Sequence, residues 1–271
     1  MNKYELTSKT LQCSRHTLHQ IKALKNFGSI KAGELGGWVE KEENLSQYGN
    51  AWVYDNAKVY GDAKVYDNAE IFGDARVRDK VEIFDNAKVY GKVIVYDNAK
   101  VYDDAEVCDN AQVYDNAEVC DNAHVYDNAI IYGDSQVYGD AKIYGDAFVY
   151  GRANVYRNAK IYNEASVCGN ACVHDDAEIY NDSHVFGNAE ICGHAKVCNN
   201  ADYIVFKNFW SSGRYFTWTR SNNMWTVGCF HGTGEELIKK AYSDSEISGR
   251  EYERVVRYVE GILADEKKRS N

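Results

Sequence analysis

The side chains able to do chemistry recur in this sequence at a fixed interval. Asp67, Asp85, Asp103 and Asp121 stand 18 positions apart. If that interval returns the chain to the same place, their carboxylates form a row about 4.8 Å apart, the spacing of neighbouring strands. Like charges at that distance repel by on the order of 1 kcal/mol before salt screening, so the row attracts counter-ions or a basic protein surface. A tight Ca²⁺ site needs six or more converging oxygens, and a straight row supplies fewer. Asp104, Asp140, Asp175 and Asp176 continue the acidity. His124, His174, His184 and His194 lie in the same region, none in a recognisable motif. His174 and Cys192 are separated by the same interval. Two ligands fall short of the three or four that zinc takes, so no metal site is assigned and the pair is read as members of a side-chain ladder. The eight cysteines include no C-x-x-C pair, which excludes a zinc knuckle or a thioredoxin-like motif. Free thiols in a reducing cytoplasm are the expectation, because the N-terminal stretch lacks an apolar signal core.

The interval comes from an internal repeat. From Val53 to Asp202 the chain runs as 25 consecutive six-residue units, typified by V-Y-D-N-A-K. Position one is Val or Ile in all 25; position five is Ala in 21, with Val81, Val93, Ser135 and Ser183 as exceptions. A helix cannot hold a period of six, since about 3.6 residues per turn smears the Val positions around its surface. A short strand with a turn does: Ala57 and Val59 point inward, Lys58 and Tyr60 outward, and Gly61-Asp62 turns the chain. Position two holds 15 Tyr and 3 Phe. Rings one coil apart, such as Tyr126, Tyr144 and Tyr162, should therefore stack and stiffen the prism.

The flanks break the period. Residues 1–52 read as short strands and turns that cap the solenoid, because an end coil exposes an open sheet edge. Residues 203–271 read as an α+β module. Y-I-V-F-K-N-F, Y-F-T-W-T-R and M-W-T-V-G-C-F are three strands, with Asn222-Asn223 as a hairpin turn. Thr233 and Glu236 form a capping box for a helix to about Tyr242. A second helix takes E-Y-E-R-V-V-R-Y-V-E-G-I-L, and the tail A-D-E-K-K-R-S-N is solvated.

An aliphatic residue followed four positions later by a small one resembles the hexapeptide-repeat, left-handed parallel β-helix family. The resemblance implies three units per triangular coil, about eight coils, and a mainly β chain with an N-terminal cap and a C-terminal module. The flanks K-Y-E-L, I-K-A-L-K-N-F-G, K-A-G-E-L-G-G-W-V-E and G-C-F-H-G-T-G-E-E-L are similar to bacterial, phage and prophage YdcK-like proteins, some of which carry a transferase label. Acyltransferases of the fold use a histidine base and hold coenzyme A between the prisms of a trimer, often with the help of an extruded loop. Here 25 units run without such a loop, so acetyl-CoA-dependent acyl transfer is the alternative function and no catalytic residue is assigned.

The net charge of −10 argues against nucleic acid as a partner, and the absence of a long apolar run argues against a membrane span. The repeats hold 27 acidic against 13 basic residues. The main expectation is a cytoplasmic, non-enzymatic binding protein of phage or prophage type, an inhibitor or decoy acting on a host factor, with no cofactor. An inert rod is the remaining alternative. Recognition of an unidentified protein or a small ligand is assigned to the acidic corner Asp67, Asp85, Asp103 and Asp121, and to Trp210, Arg214, Trp218 and Arg220 of the module, since aromatic and arginine side chains anchor interfaces. Ile94, Ile130 and Phe148 form an outward apolar strip that predicts a homo-oligomer, by resemblance a trimer, with a dimer as the alternative.

Overall fold

Position one and position five build the interior. In the computed structural model, which describes residues 2–269, they line a parallel β-solenoid. Twenty-five two-residue strands, β4 (Trp52–Val53) to β28 (Lys196–Val197), follow one another at six-residue spacing, the first of them after β1 (Tyr4–Cys13), β2 (His16–Ala23) and β3 (Leu35–Val39). Each repeat strand pairs in parallel with the strand three further along the chain, as Lys100 with Glu118 and Val101 with Val119. Three faces result, of eight, nine and eleven strands. Every position-one residue is buried, and so is position five from Ala57 to Ala195. Ser135 and Ser183 keep the pattern by donating their hydroxyls to the carbonyls of Tyr132 (2.9 Å) and Tyr180 (2.8 Å).

Position three makes the corner. From Asp55 to Gly193 each residue there has a positive φ, for example 55° at Asp121 and 57° at Arg157. A Cβ in that region collides with the backbone, which Gly avoids and Asp or Asn best tolerate. This is the physical reason that position three is restricted to Gly, Asp and Asn, with Arg157 alone departing.

Position two forms ring ladders. Centroids lie 4.9 Å apart for Tyr126–Tyr144 and 5.0 Å for Tyr144–Tyr162, with planes within 3° of parallel. A second ladder runs Tyr96, Tyr114, Tyr132, Tyr150, and a third ends Tyr138, Tyr156, His174.

The two ends differ in polarity. Outside the bonds within the strand pairs, each coil donates its backbone N–H groups to the carbonyls of the next, as Tyr102 N–H to Val119 C=O. The first coil is therefore left mainly with open carbonyls and the last mainly with open N–H groups. At the N-terminal end the missing donors are side chains. Buried Lys3 Nζ reaches the carbonyls of Ala51 (2.9 Å) and Tyr48 (3.3 Å), Tyr4 Oη reaches Leu45 (2.7 Å), and Asn44 Nδ2 reaches Ala63 (2.8 Å). At the C-terminal end the missing acceptors are Asn200 Oδ1 for His184 N–H (2.7 Å), Tyr203 Oη for Phe186 (3.3 Å), Thr217 Oγ1 for Glu190 (2.9 Å) and Ser221 Oγ for Lys196 (2.6 Å).

Those acceptors belong to, or lead into, a small antiparallel sheet of β29 (Tyr203–Lys207), β30 (Tyr215–Thr219), β31 (Met224–Val227) and β32 (Phe230–Gly232). Helices α1 (Gly234–Asp244) and α2 (Glu246–Arg269) cover it over a separate core that includes Phe216, Trp218, Trp225, Leu237, Tyr252 and Val256. Thr233 and Glu236 form the expected capping box.

Three details differ from the sequence reading. The solenoid has about nine coils, not eight, because Val39 stacks on Val59 and Leu45 on Val65 and so add a coil. Gly36 allows this: a Cβ there would lie 2.5 Å from the Val53 carbonyl oxygen. M-W-T-V-G-C-F is two strands rather than one, broken at Gly228 (φ 59°). The second helix continues through the tail to Arg269, exposed but helical, while Ser270 and Asn271 lie outside the described residues. Among the described residues no helix is long and apolar enough to cross a membrane.

The ladders predict alkaline sensitivity. Burial first, then neighbouring charge, pushes Tyr66, Tyr114 and Tyr156 up to about 12. Unfolded tyrosine titrates near 10, so above that pH the unfolded chain binds fewer protons than the folded one. The stability these rings contribute is fully present below about pH 10 and is lost as the pH rises towards 12. Thermal melts should hold level from about pH 8 to about 9.5 and then fall. Thermal melts that stay level up to about pH 12 would defeat this expectation.

Candidate functional site

One ring ladder ends in chemistry. Tyr156 stacks on His174 at 4.7 Å, and the next residue in that column is Cys192. Both belong to the last coils, against which β31 and β32 pack. These strands bring Thr226 and His231 to the sulfur: Cys192 Sγ lies 3.3 Å from Thr226 Oγ1 and 3.2 Å from His231 Nδ1. Thr226 Oγ1 is in turn 3.1 Å from His231 Nδ1. The fit requires Gly193, where a Cβ would come within 3.1 Å of His231 Nε2.

Carboxylates surround the group. His174 Nε2 is 3.4 Å from Glu190 Oε1, and His174 Nδ1 is 3.2 Å from Asp175 Oδ2. Asp175 Oδ2 also accepts the Gly193 N–H at 3.1 Å, and Oδ1 pairs with the Arg157 guanidinium. A ring nitrogen of His174, a carboxylate oxygen of Asp175 and Cys192 Sγ all lie within 4.8 Å of one another. Burial alone would raise the Asp175 carboxyl, but Arg157, the Gly193 N–H and His174 together hold it below its ordinary range. Burial lifts the Cys192 thiol above its ordinary range; Glu190 and Asp175 add to the rise and the Thr226 bond opposes it. Burial thus works against the thiolate that nucleophilic catalysis needs. The donor set of imidazole, carboxylate and sulfur instead suits a metal.

The residues singled out in the sequence have varied fates. Asp67, Asp85, Asp103 and Asp121 do share one corner, each with a positive φ. At least two of these carboxylates bind backbone: Asp103 Oδ2 accepts Asp121 N–H at 3.4 Å, and Asp121 Oδ2 accepts Gly139 N–H at 3.0 Å. Asp104 is the end of a neighbouring amide ladder, Asn50 to Asn68 to Asn86 to Asp104. In the module, Trp210 is exposed and so is Arg214. Trp218 does not face outward: it fills the small core and its Nε1 donates to Asn223 Oδ1 at 3.0 Å. Arg220 grips Glu266 of α2 through two bonds of 3.0 and 3.2 Å and so fastens the helix. Ile130 sits directly beside Phe148 on the eleven-stranded face, whereas Ile94 is separated from them by Gln112. Sequence reasoning pairs His174 with Cys192 and misses Asp175 and His231 as partners. Asp175, next to His174, is within reach of that reasoning; His231 has no periodic signal.

The corner contacts yield a prediction. Asp121→Ala should lower stability by about 1–2 kcal/mol, since it loses a hydrogen bond and forces Ala to a positive φ. Asp121→Gly should lose less, because Gly takes that φ freely. Denaturant melts at low salt measure both; an Ala variant as stable as the parent or more so would mean that repulsion along the corner dominates.

Comparison with known proteins agrees with the architecture. Residues 123–139 match the family model of the YdcK beta solenoid repeat. A segment of 38 residues is 47% identical to the protein named "Uncharacterized acetyltransferase YdcK" of Escherichia coli (strain K12). That match takes in 14% of this chain and only 12% of the relative. With the repeat and the coils in agreement, the chain is a parallel β-solenoid protein whose repeat is similar to that of YdcK.

Proposed function

We propose that the chain is a binding protein that presents a recognition loop on the end of a stiff prism. The observation that carries this reading is the pair Phe209 and Trp210, 73% and 81% exposed in a loop that is itself held in shape. Buried Asn208 does the holding. Its Oδ1 accepts the N–H groups of Trp210 (2.9 Å) and Ser211 (3.1 Å), its Nδ2 donates to Ser211 Oγ (2.8 Å), and its N–H donates to Arg214 C=O (2.9 Å). Large rings displayed on an ordered turn lose little conformational entropy on binding, which favours their use as anchors. A cleft of about 210 Å³ beside Trp210 is lined by Phe206, Lys207, Arg254 and Tyr258 among others. Lys207 Nζ lies 5.1 Å from the Phe209 ring. This combination fits a protein segment that offers an apolar side chain next to a carboxylate. Affinity capture with the parent and with a Phe209→Ala/Trp210→Ala double variant tests it. Partners held by the parent should be lost from the variant; equal capture would remove the loop from the interface. Point variants are preferable to deleting residues 203–271, which would strip the acceptors from the last coil.

A second reading, acyl transfer, is favoured by the name of the K12 relative and by one arrangement in this chain. His184 Nδ1 lies 2.5 Å from Ser166 Oγ, and its neighbour in the coil, Phe186, lines an apolar groove of about 640 Å³ with Tyr203, Ile204, Val205 and Tyr215. Calorimetric titration with acetyl-CoA separates the readings. Binding that His184→Ala leaves intact, together with turnover that it abolishes, would establish transfer and assign the base. An absence of heat would leave the binding reading alone.

A further inference from the structure

We propose that His174, Asp175, Cys192 and His231 hold a zinc-class divalent ion that clasps the C-terminal module onto the last coils of the prism. Three observations converge. First, His174 is only 8% exposed and its Nδ1 is buried without a hydrogen-bond partner. The Asp175 oxygen 3.2 Å away is a close charge contact outside hydrogen-bond geometry. An orphaned buried nitrogen is costly unless something occupies its lone pair. Second, Glu190 lies at the other nitrogen, 3.4 Å from Nε2. An Nε2–H donated to that carboxylate leaves Nδ1 as a bare acceptor beside Asp175 and Cys192, the carboxylate–histidine arrangement that orients metal ligands. Third, three ligand atoms are already gathered: a His174 ring nitrogen, an Asp175 carboxylate oxygen and Cys192 Sγ lie within 4.8 Å of one another, and His231 Nδ1, outside that group, is 3.2 Å from the sulfur. Around a tetrahedral ion with bonds of about 2.0–2.3 Å, ligand atoms stand roughly 3.3–3.8 Å apart, so shifts of about an ångström bring His174, Asp175 and Cys192 onto the ion, and a turn of the exposed His231 side chain supplies the fourth ligand. Nitrogen and sulfur donors select a borderline ion such as Zn²⁺ over Mg²⁺ or Ca²⁺.

The geometry also gives the ion a role. Three of the ligands come from the prism, and the fourth comes from β32. Loading the site therefore adds a tie between the module and the prism, which otherwise meet through hydrogen bonds at the open end of the ladder and through Tyr203 packed with the prism's core. Asp103, Cys120 and Asp121, also gathered closely enough for an ion, serve as a contrast. All three belong to the prism, at or beside the corner, and among the described residues none of them has a buried side-chain nitrogen or oxygen without a partner.

The experiment uses the full chain, freed of metal by a chelator and titrated with Co²⁺ and then Zn²⁺. The expected result is one equivalent bound, a thiolate-to-cobalt charge-transfer band, its loss on zinc addition and a higher melting temperature with zinc. Cys192→Ser should abolish the band, His231→Gln should weaken binding at least tenfold, Glu190→Gln should weaken it about tenfold, and Cys120→Ser should change nothing. X-ray absorption of the zinc-loaded parent needs no variant and should show one sulfur at about 2.3 Å with nitrogen and oxygen at about 2.0 Å. A folded parent that takes up no stoichiometric ion, a coordination shell without sulfur, or a band that survives Cys192→Ser would each overturn the proposal.

Discussion

The parallel ladder governs this molecule. Most of each coil's N–H bonds outside the strand pairs run to the coil ahead, so the ladder is satisfied everywhere except at the two ends. Those ends differ in character, mainly open carbonyls at one and mainly open N–H groups at the other. The chain closes the first with donor side chains and the second with acceptor side chains. Burying Lys3 for this purpose has a visible electrostatic cost: burial, with some help from Lys25, brings its ammonium down to about 8. The arrangement persists because a bare carbonyl edge would recruit another strand or remain unsatisfied.

The corners change the meaning of the charge. A net charge of −10 reads naturally as a device for attracting a basic partner. Yet many of the acids are position-three residues that tolerate a positive φ, and several of their carboxylates accept N–H groups from the next coil. Their presence follows first from backbone geometry. Amide ladders one position further along carry charge only where they run into an aspartate, as at Asp134 and Asp146, which lowers the electrostatic cost of stacking. The same economy applies to the rings, which cover the faces and stack at the coil spacing.

A uniform prism has few places at which to be specific. Irregularity enters where the third ladder runs from tyrosine into His174 and Cys192, and where the module lies against them. The module owes its position to the unfinished ladder, through Thr217 and Ser221, and its rigidity to its own core and to the Arg220–Glu266 pair. The prism thus supplies a fixed platform, and the exposed Phe209–Trp210 turn projects from the body that the platform seats.

Much of this is legible in the residues. One contact pattern is written 25 times over, so the coil, the buried Val and Ala positions, the ring stacking and the turn chemistry all follow from a single unit. The first coil is hidden because Leu45 and Val53 do not keep the six-residue step, which breaks the register that the eye follows. In the module, alternation implies that some aromatic residues face outward but not which. Trp218 goes to the core because the helices α1 and α2 cover that face of the sheet, a contact no local pattern encodes. Arg220 has the chemistry of a partner anchor and instead holds a helix 46 residues further on. Cys192 and His231, 39 residues apart across a non-repeating fold, come together only when the last coil demands acceptors and the module docks to provide them. The solenoid can be read from the residues alone because its contacts repeat with the sequence period. The metal-ligand cluster cannot, because each of its contacts occurs once and depends on how two separately folded bodies meet.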